Sequence, residues 1–154
     1  MVSAEEPTRM TDWNDRRTCV LFGDGAGAAV LAPGDNIKCV KLSASSATDK
    51  LWQYRLLHPT PYITKKETDV PLQMKGQDVF KFAVKAASKD ISRVLEETGH
   101  GADDVDHYLL HQANIRIINA IQEYLEQPKE KFPTNIEDHG NSSSSCCPIL
   151  LDEC

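Results

Sequence analysis

Residues 105–125 read VDHYLLHQANIRIINAIQEYL, and two periodicities meet inside them. Val105 to Leu110 is an apolar stretch of strand length, whereas Ile115, Ile118, Ala120, Ile121 and Leu125 recur at the three- and four-residue spacing of one helix face. The stretch therefore predicts a strand that gives way, across His111, to a helix over 114–125 that Pro128 closes. Upstream, Phe80, Ala83, Val84, Ala87, Ile91, Val94 and Leu95 mark a second amphipathic helix over 77–97, with Gly99 placed to stop it. Downstream, 131–136 reads as a weak strand. Gly140, Asn141 and Ser142 read as a helix N-terminus, where a short polar side chain can accept from free backbone N–H groups, and a last helix runs towards Cys154.

The first third has another texture. TCVLFGDGAGAAVL (18–31) places two aliphatic runs around a glycine-rich turn, which predicts two buried strands joined tightly. Residues 1–4 suit a strand end, 5–17 a polar loop, and 37–43 an edge strand in which Ile37 and Cys39 alternate with Lys38 and Lys41. Residues 45–71 carry Pro59, Pro61 and Pro71 without sustained periodicity and are expected to be a long surface excursion. Strands followed by helices make this an α/β layered sandwich.

With 154 residues, 40% hydrophobic and 26% charged, the chain has the composition of one globular domain or a large piece of one. A formal net charge of -6 opposes general affinity for nucleic acid or an anionic membrane, both polyanions. No run approaches the roughly 18 apolar residues of a membrane span, and MVSAEEPTRM lacks the basic start and apolar stretch of a signal peptide. A cytoplasmic protein is expected. The five cysteines (Cys19, Cys39, Cys146, Cys147, Cys154) include no C-x-x-C pair and no zinc-ligand spacing, so free thiols are expected, with neither a metal site nor a disulfide framework.

Two residues stand where chemistry is possible. His111 lies at the expected carboxyl end of a strand, the edge of an α/β sheet at which ligands bind. Taken alone it reads equally as a solvent-facing loop histidine. Asn141 stands at the second glycine-marked junction. Its plain reading is a helix cap, but beside a neutral imidazole a carboxamide supplies a second donor to one developing oxyanion. FGDGAG (22–27) has G-x-G-x-G spacing without the interval of a dinucleotide fingerprint, and no helix opens on it.

Four segments together carry a resemblance: TDWNDRRTCVLFGDGAGAAVL (11–31), MKGQDVFKFAV (74–84), LLHQANIRII (109–118) and HGNSSSSCCPILLDE (139–153). In this order and spacing the chain resembles the β-ketoacyl-acyl-carrier-protein synthase III family of thiolase-fold condensing enzymes, over its C-terminal portion. The resemblance implies a thiolase-like αβαβα sandwich, chiefly its C-terminal half and lacking the final strands. Residues 1–44 would be the end of the N-terminal half, 45–71 a linker, and 72–154 a truncated C-terminal domain. It further implies a Cys–His–Asn triad in which His111 and Asn141 match the histidine and asparagine. The nucleophilic cysteine precedes the segment seen here and matches none of the five present, which are expected to be structural thiols.

The same resemblance assigns Arg16 to the adenine-phosphate end of coenzyme A, and Phe22, Met74, Gly76, Gln77 and Ala113 to the substrate channel, with Gln77 where relatives often have asparagine. Lys81 and Arg116 match a docking surface for acyl carrier protein, an acidic partner. Lys81, Lys85, Lys89 and Arg93 form a basic ridge at i, i+4 spacing that, read without the family, is a solvated helix face. No cofactor is implied beyond the coenzyme A thioester as substrate, and the complete enzyme would be a homodimer. The implied reaction is decarboxylative condensation of acyl-coenzyme A with malonyl-acyl-carrier protein, initiating fatty-acid biosynthesis, with the isolated chain inactive and exposing a sheet edge. Two alternatives stay open: a non-catalytic remnant or scaffold half binding coenzyme A or carrier protein, and a polyketide-type condensing enzyme.

Overall fold

A computed structural model of the chain describes residues 1–53 and 71–154. Its elements in order are β1 (Val2–Glu5), β2 (Gly25–Ala28), β3 (Leu51–Trp52), β4 (Gln73–Met74), α1 (Gly76–Thr98), α2 (Ile115–Leu125), α3 (Ile136–His139) and α4 (Cys146–Glu153). β1 pairs antiparallel with β2, Val2 opposite Ala28 and Glu5 opposite Gly25, and β3 pairs antiparallel with β4. The strand end expected at the N-terminus is thus β1.

The helices follow their periodicity. α1 turns Phe80, Ala83, Val84, Ala87 and Ile91 onto a core of Tyr108, Ile117, Ile118, Ile121 and Phe132. Burying these faces removes apolar surface from water, which a helix whose backbone bonds are internal can do without a neighbouring ladder. Gly99 stops α1 in the left-handed conformation (φ 70°), and its N–H bonds back to Glu96 O and Leu95 O. Tyr108 stacks on Phe132 with ring centroids 4.7 Å apart and donates its hydroxyl to Ala102 O at 3.0 Å, so the polar end of a buried ring is satisfied.

Several expected strands are absent from the described residues, each for a local reason. Residues 18–21 form turns. Thr18 N–H and Cys19 N–H both donate to Asp15 O at 3.0 Å, and Asp15 Oδ1 accepts from Arg17 N at 3.0 Å, so aspartate turn chemistry overrides the β-branched residues. Cys19 is therefore in a turn; β2 lies on the glycine stretch expected as the turn, and the aliphatic run after it, with Val30 and Leu31 exposed, forms no buried strand. Residues 37–43 run along α1 without a ladder, tied by Ser43 Oγ to Asp90 Oδ2 at 3.0 Å and by a Lys41–Glu97 ion pair. That leaves Cys39 outside any strand as well. Among the described residues, 105–110 have one inter-segment backbone bond, Tyr108 N to Lys131 O at 2.7 Å. The strand expected over 131–136 is instead a 3-10 turn at Lys129–Lys131 followed by α3, with Pro133 lacking the N–H a ladder needs. Much of the predicted excursion, including Pro59 and Pro61, lies outside the described residues; β3 and Pro71 are at its described ends.

α4 packs on β2, and the glycines at 23, 25 and 27 make the approach possible. A Cβ on Gly27 would stand 2.7 Å from Pro148 Cγ, and one on Gly23 would stand 2.0 Å from the backbone oxygen of His139. Gly23 also belongs to a short parallel pairing: Gly23 N–H donates to Asn141 O at 3.2 Å and Asn141 N–H to Leu21 O at 2.8 Å. Gly23→Ala is expected to lower stability by about 3 kcal/mol, the upper range for overpacking, because backbone rather than a flexible side chain must move. Gly34→Ala, with nothing within 4 Å of the added Cβ, should stay within about 1 kcal/mol. Thermal unfolding of the two variants side by side checks this; equal melting temperatures would refute the packing account.

Candidate functional site

Each residue of the HQAN stretch has a separate local task. Gln112 is fully buried; its Nε2 donates to Leu110 O at 2.9 Å and its Oε1 accepts from Asn135 N at 3.2 Å, which clamps the segment to the loop before α3. Ala113 N–H closes a tight turn on His111 O at 2.9 Å. Asn114 caps α2, its Oδ1 accepting from Arg116 N at 2.9 Å. His111, between clamp and turn, is left exposed.

Asn141 is presented from the other side. Its backbone is held by the pairing with residues 21–23, and its side-chain Oδ1 accepts from Ser143 N at 3.0 Å. The carboxamide NH2 is the part left to act on anything else. The loop that carries it is anchored at Glu153, which accepts from Asn135 Nδ2 at 2.6 Å and contacts His139 Nε2 at 2.8 Å. Those two contacts, that of Asn135 first, hold the Glu153 carboxyl below the usual carboxylate range.

His111 and Asn141 line one cavity of about 1190 Å³. Phe22, Met74, Gly76, Gln77, Ala113, Lys81 and Arg116 line it too, as do Leu21, Leu51, Leu72, Val79, Phe80 and Ile117, so much of the wall is hydrocarbon. Such a wall strengthens any hydrogen bond made to a charge inside it. Arg16 is exposed and is not among the lining residues; its neighbour Arg17 is. The reason is the Asp15 turn. Arg17 grips Asp15 through Nε (2.9 Å to Oδ1) and Nη2 (2.8 Å to Oδ2), which fixes it beside the cavity. Lys81, Lys85, Lys89 and Arg93 are all exposed along α1, with Arg93 engaged to Glu97 at 3.0 Å.

One residue at the site escaped the sequence reading. Cys146, expected as a structural thiol of the last helix, is indeed its first residue and only 1% exposed, but its Sγ lies 2.8 Å from His111 Nδ1 and accepts from Gln112 N at 3.3 Å. Hydrogen bonds from Cys147, His111 and the Gln112 N–H hold the Cys146 thiol well below its ordinary range despite burial, while Cys147 is pushed up by its contact with Cys146 and by burial. A cysteine directly after a run of four serines carries no spacing signal for a partner 35 positions earlier. Its place at the start of a helix beside the Asn141 turn was the available hint.

The geometry defines an α/β protein with an imidazole and a carboxamide opening together on one largely apolar cavity. Residues 1–49 match the family model described as 3-oxoacyl-[acyl-carrier-protein (ACP)] synthase III, and residues 95–154 match the model of its C-terminal domain; the chain belongs to the 3-oxoacyl-acyl-carrier-protein synthase III family, over a C-terminal portion. It is 42% identical over 156 residues to the β-ketoacyl-acyl-carrier-protein synthase III of Geobacillus kaustophilus, covering 99% of this chain and 46% of that protein. Among solved structures it resembles the synthase III of Thermus thermophilus, with a TM-score of 0.85 at 35% identity over 99% of this chain and 48% of that one. It also resembles the priming β-ketosynthase of the R1128 polyketide pathway, with a TM-score of 0.81 at 30% identity over 99% and 46%. The chain spans about half the length of the curated relatives it matches, and over that half it has their thiolase-like α/β fold. No helix among the described residues is long and apolar enough to cross a membrane.

Proposed function

We propose that this chain supplies the His/Asn half of a condensing acyltransferase that joins the acyl group of acyl-coenzyme A to malonyl-acyl-carrier protein, the step that starts fatty-acid biosynthesis in the cytoplasm. The observation that carries the reading is that His111 and Asn141 line the same cavity, with the carboxamide oxygen of Asn141 already taken by Ser143. Loss of carbon dioxide from the malonyl group leaves its electron pair delocalised onto the thioester oxygen. Two N–H donors aimed at that oxygen lower the barrier because they bind the enolate more strongly than the neutral carbonyl. The enolate carbon then attacks an acyl thioester on a cysteine in the half of the relatives that this chain does not span, expelling the thiolate and forming the 3-oxoacyl product.

The apolar wall, with Phe22 and Met74, suits the pantetheine arm and acyl chain, and Arg17, which lines the cavity, suits a phosphate. Lys81 and Arg116, exposed and lining the same cavity, suit an acidic carrier protein. The full-length enzyme is read as a homodimer.

The test is a malonyl-carrier-protein decarboxylation assay on the chain alone and mixed with the N-terminal half of a relative. Activity is expected only in the mixture. Halves that co-purify yet release no carbon dioxide would overturn the enzymatic reading in favour of a scaffold. In the active mixture, Lys81→Glu combined with Arg116→Glu should raise KM for the carrier protein about tenfold at low salt, with the difference shrinking as ionic strength rises. An unchanged KM would remove these two residues from the docking surface.

A further inference from the structure

Cys146 is buried beside the site yet is not among the residues lining the cavity, so its sulfur cannot reach a substrate thioester there and it is no substitute nucleophile. What it touches is the back of the imidazole. We propose that Cys146 is a positioning residue, which takes up Nδ1 of His111 and so fixes the ring as an Nε2–H donor towards the cavity. This rests on the reading of His111 as an oxyanion donor and says what keeps it one.

The number of protons shared by the sulfur and the ring decides what Nε2 carries. Sγ lies 2.8 Å from Nδ1, close enough that one proton sits between them. If that proton is on sulfur, the thiol donates to Nδ1, and a neutral imidazole must then carry its own proton on Nε2. If it is on nitrogen, a thiolate accepts from Nδ1–H, and the resulting imidazolium again carries a proton on Nε2. Both arrangements give the cavity a donor. Nε2 is bare when a neutral ring is protonated at Nδ1, facing either a thiolate, which would then be a buried anion without the imidazolium that offsets it, or an intact thiol. With the intact thiol the sulfur would accept from Nδ1–H and from Gln112 N–H at 3.3 Å, while the partner for its own S–H among the described residues is the Cys147 sulfur, 3.9 Å away. The depressed Cys146 thiol agrees with a proton drawn towards the ring. The hold is also rigid. Gln112, whose N–H fixes the sulfur, is itself clamped to Leu110 and Asn135, so the same loop sets both ends of the contact. This is the arrangement by which a second partner on one ring nitrogen decides what the other can do.

The measurement is nitrogen NMR of the 154-residue chain labelled with 15N-histidine, with His111→Ala used to assign the His111 signals. The wild-type ring is expected to show a proton on Nε2, Cys146→Ser to keep that pattern because a hydroxyl also donates, and Cys146→Ala to lose the Nδ1 hydrogen bond. In the two-half complex, Cys146→Ala should lower kcat for decarboxylation about tenfold with KM little changed, and Cys146→Ser should restore it to within about threefold. A wild-type ring with its proton on Nδ1 and a bare Nε2 overturns the proposal without reference to any variant. So does wild-type kcat in Cys146→Ala where His111→Ala is impaired. Should His111→Ala itself keep full rate, it is the oxyanion reading that fails, and the ring spectra still decide whether Cys146 holds Nδ1.

Discussion

His111→Ala is expected to lower the rate of malonyl-carrier-protein decarboxylation by the two-half complex about 10²–10³-fold, the cost of removing one preorganised donor from an oxyanion site. The size follows from where the group acts. A donor that meets the enolate oxygen more strongly than the thioester carbonyl contributes to kcat, so the loss should appear in kcat and kcat/KM together and leave KM near its wild-type value. Stability should move little. The side chain is exposed, its backbone carbonyl is held by Ala113 N–H, and the helix behind it is capped by Asn114, none of which needs the imidazole. Cys146 loses one partner but keeps the Gln112 N–H. Carbon dioxide release measured alongside thermal unfolding separates the two effects, and a rate within threefold of wild type would remove His111 from the chemistry.

How far this site could be read from the chain depends on which kind of contact makes it. α1 and α2 were legible because a helix satisfies its own backbone, so a periodic apolar face is nearly sufficient to specify it. The segments 18–21, 37–43 and 131–136 carry strand-like composition, but a strand is a property of a pair, and local chemistry decides where no ladder forms: the Asp15 turn, side-chain ties to α1, and Pro133. The same distinction runs through the site. His111 and Asn141, which read alone as a loop histidine and a helix cap, were assigned like Phe22, Met74, Gly76, Gln77 and Ala113 through the order of the family segments, and the structure brings all seven to one cavity. Which arginine turns to the cavity was not legible, since the Asp15 grip on Arg17 depends on two side chains folding back. Nor was the Cys146 contact, which joins α4 to a loop far upstream through packing alone.

Asn141 provides the sharper test, because its two ends can be changed separately. In Asn141→Ala both are lost: the Oδ1 contact to Ser143 N–H and the NH2 donor. The rate of decarboxylation should fall about 10²–10³-fold, and stability should drop by roughly 1 kcal/mol, as when a capping side chain is removed. In Asn141→Asp the acceptor is kept and strengthened, since a carboxylate suits free backbone N–H groups at the start of a helical segment. The donor is replaced by a negative charge facing the oxygen on which negative charge develops. The aspartate variant should therefore be as stable as wild type or slightly more so, and yet slower than the alanine variant, because repulsion is added to the missing hydrogen bond. A residue that acts only as a cap predicts the reverse order, with aspartate near wild-type rate and alanine impaired through its stability. Melting temperature and carbon dioxide release measured on the same two proteins separate these accounts: aspartate faster than alanine would reduce Asn141 to a cap, and aspartate slower while stably folded assigns its NH2 to the enolate.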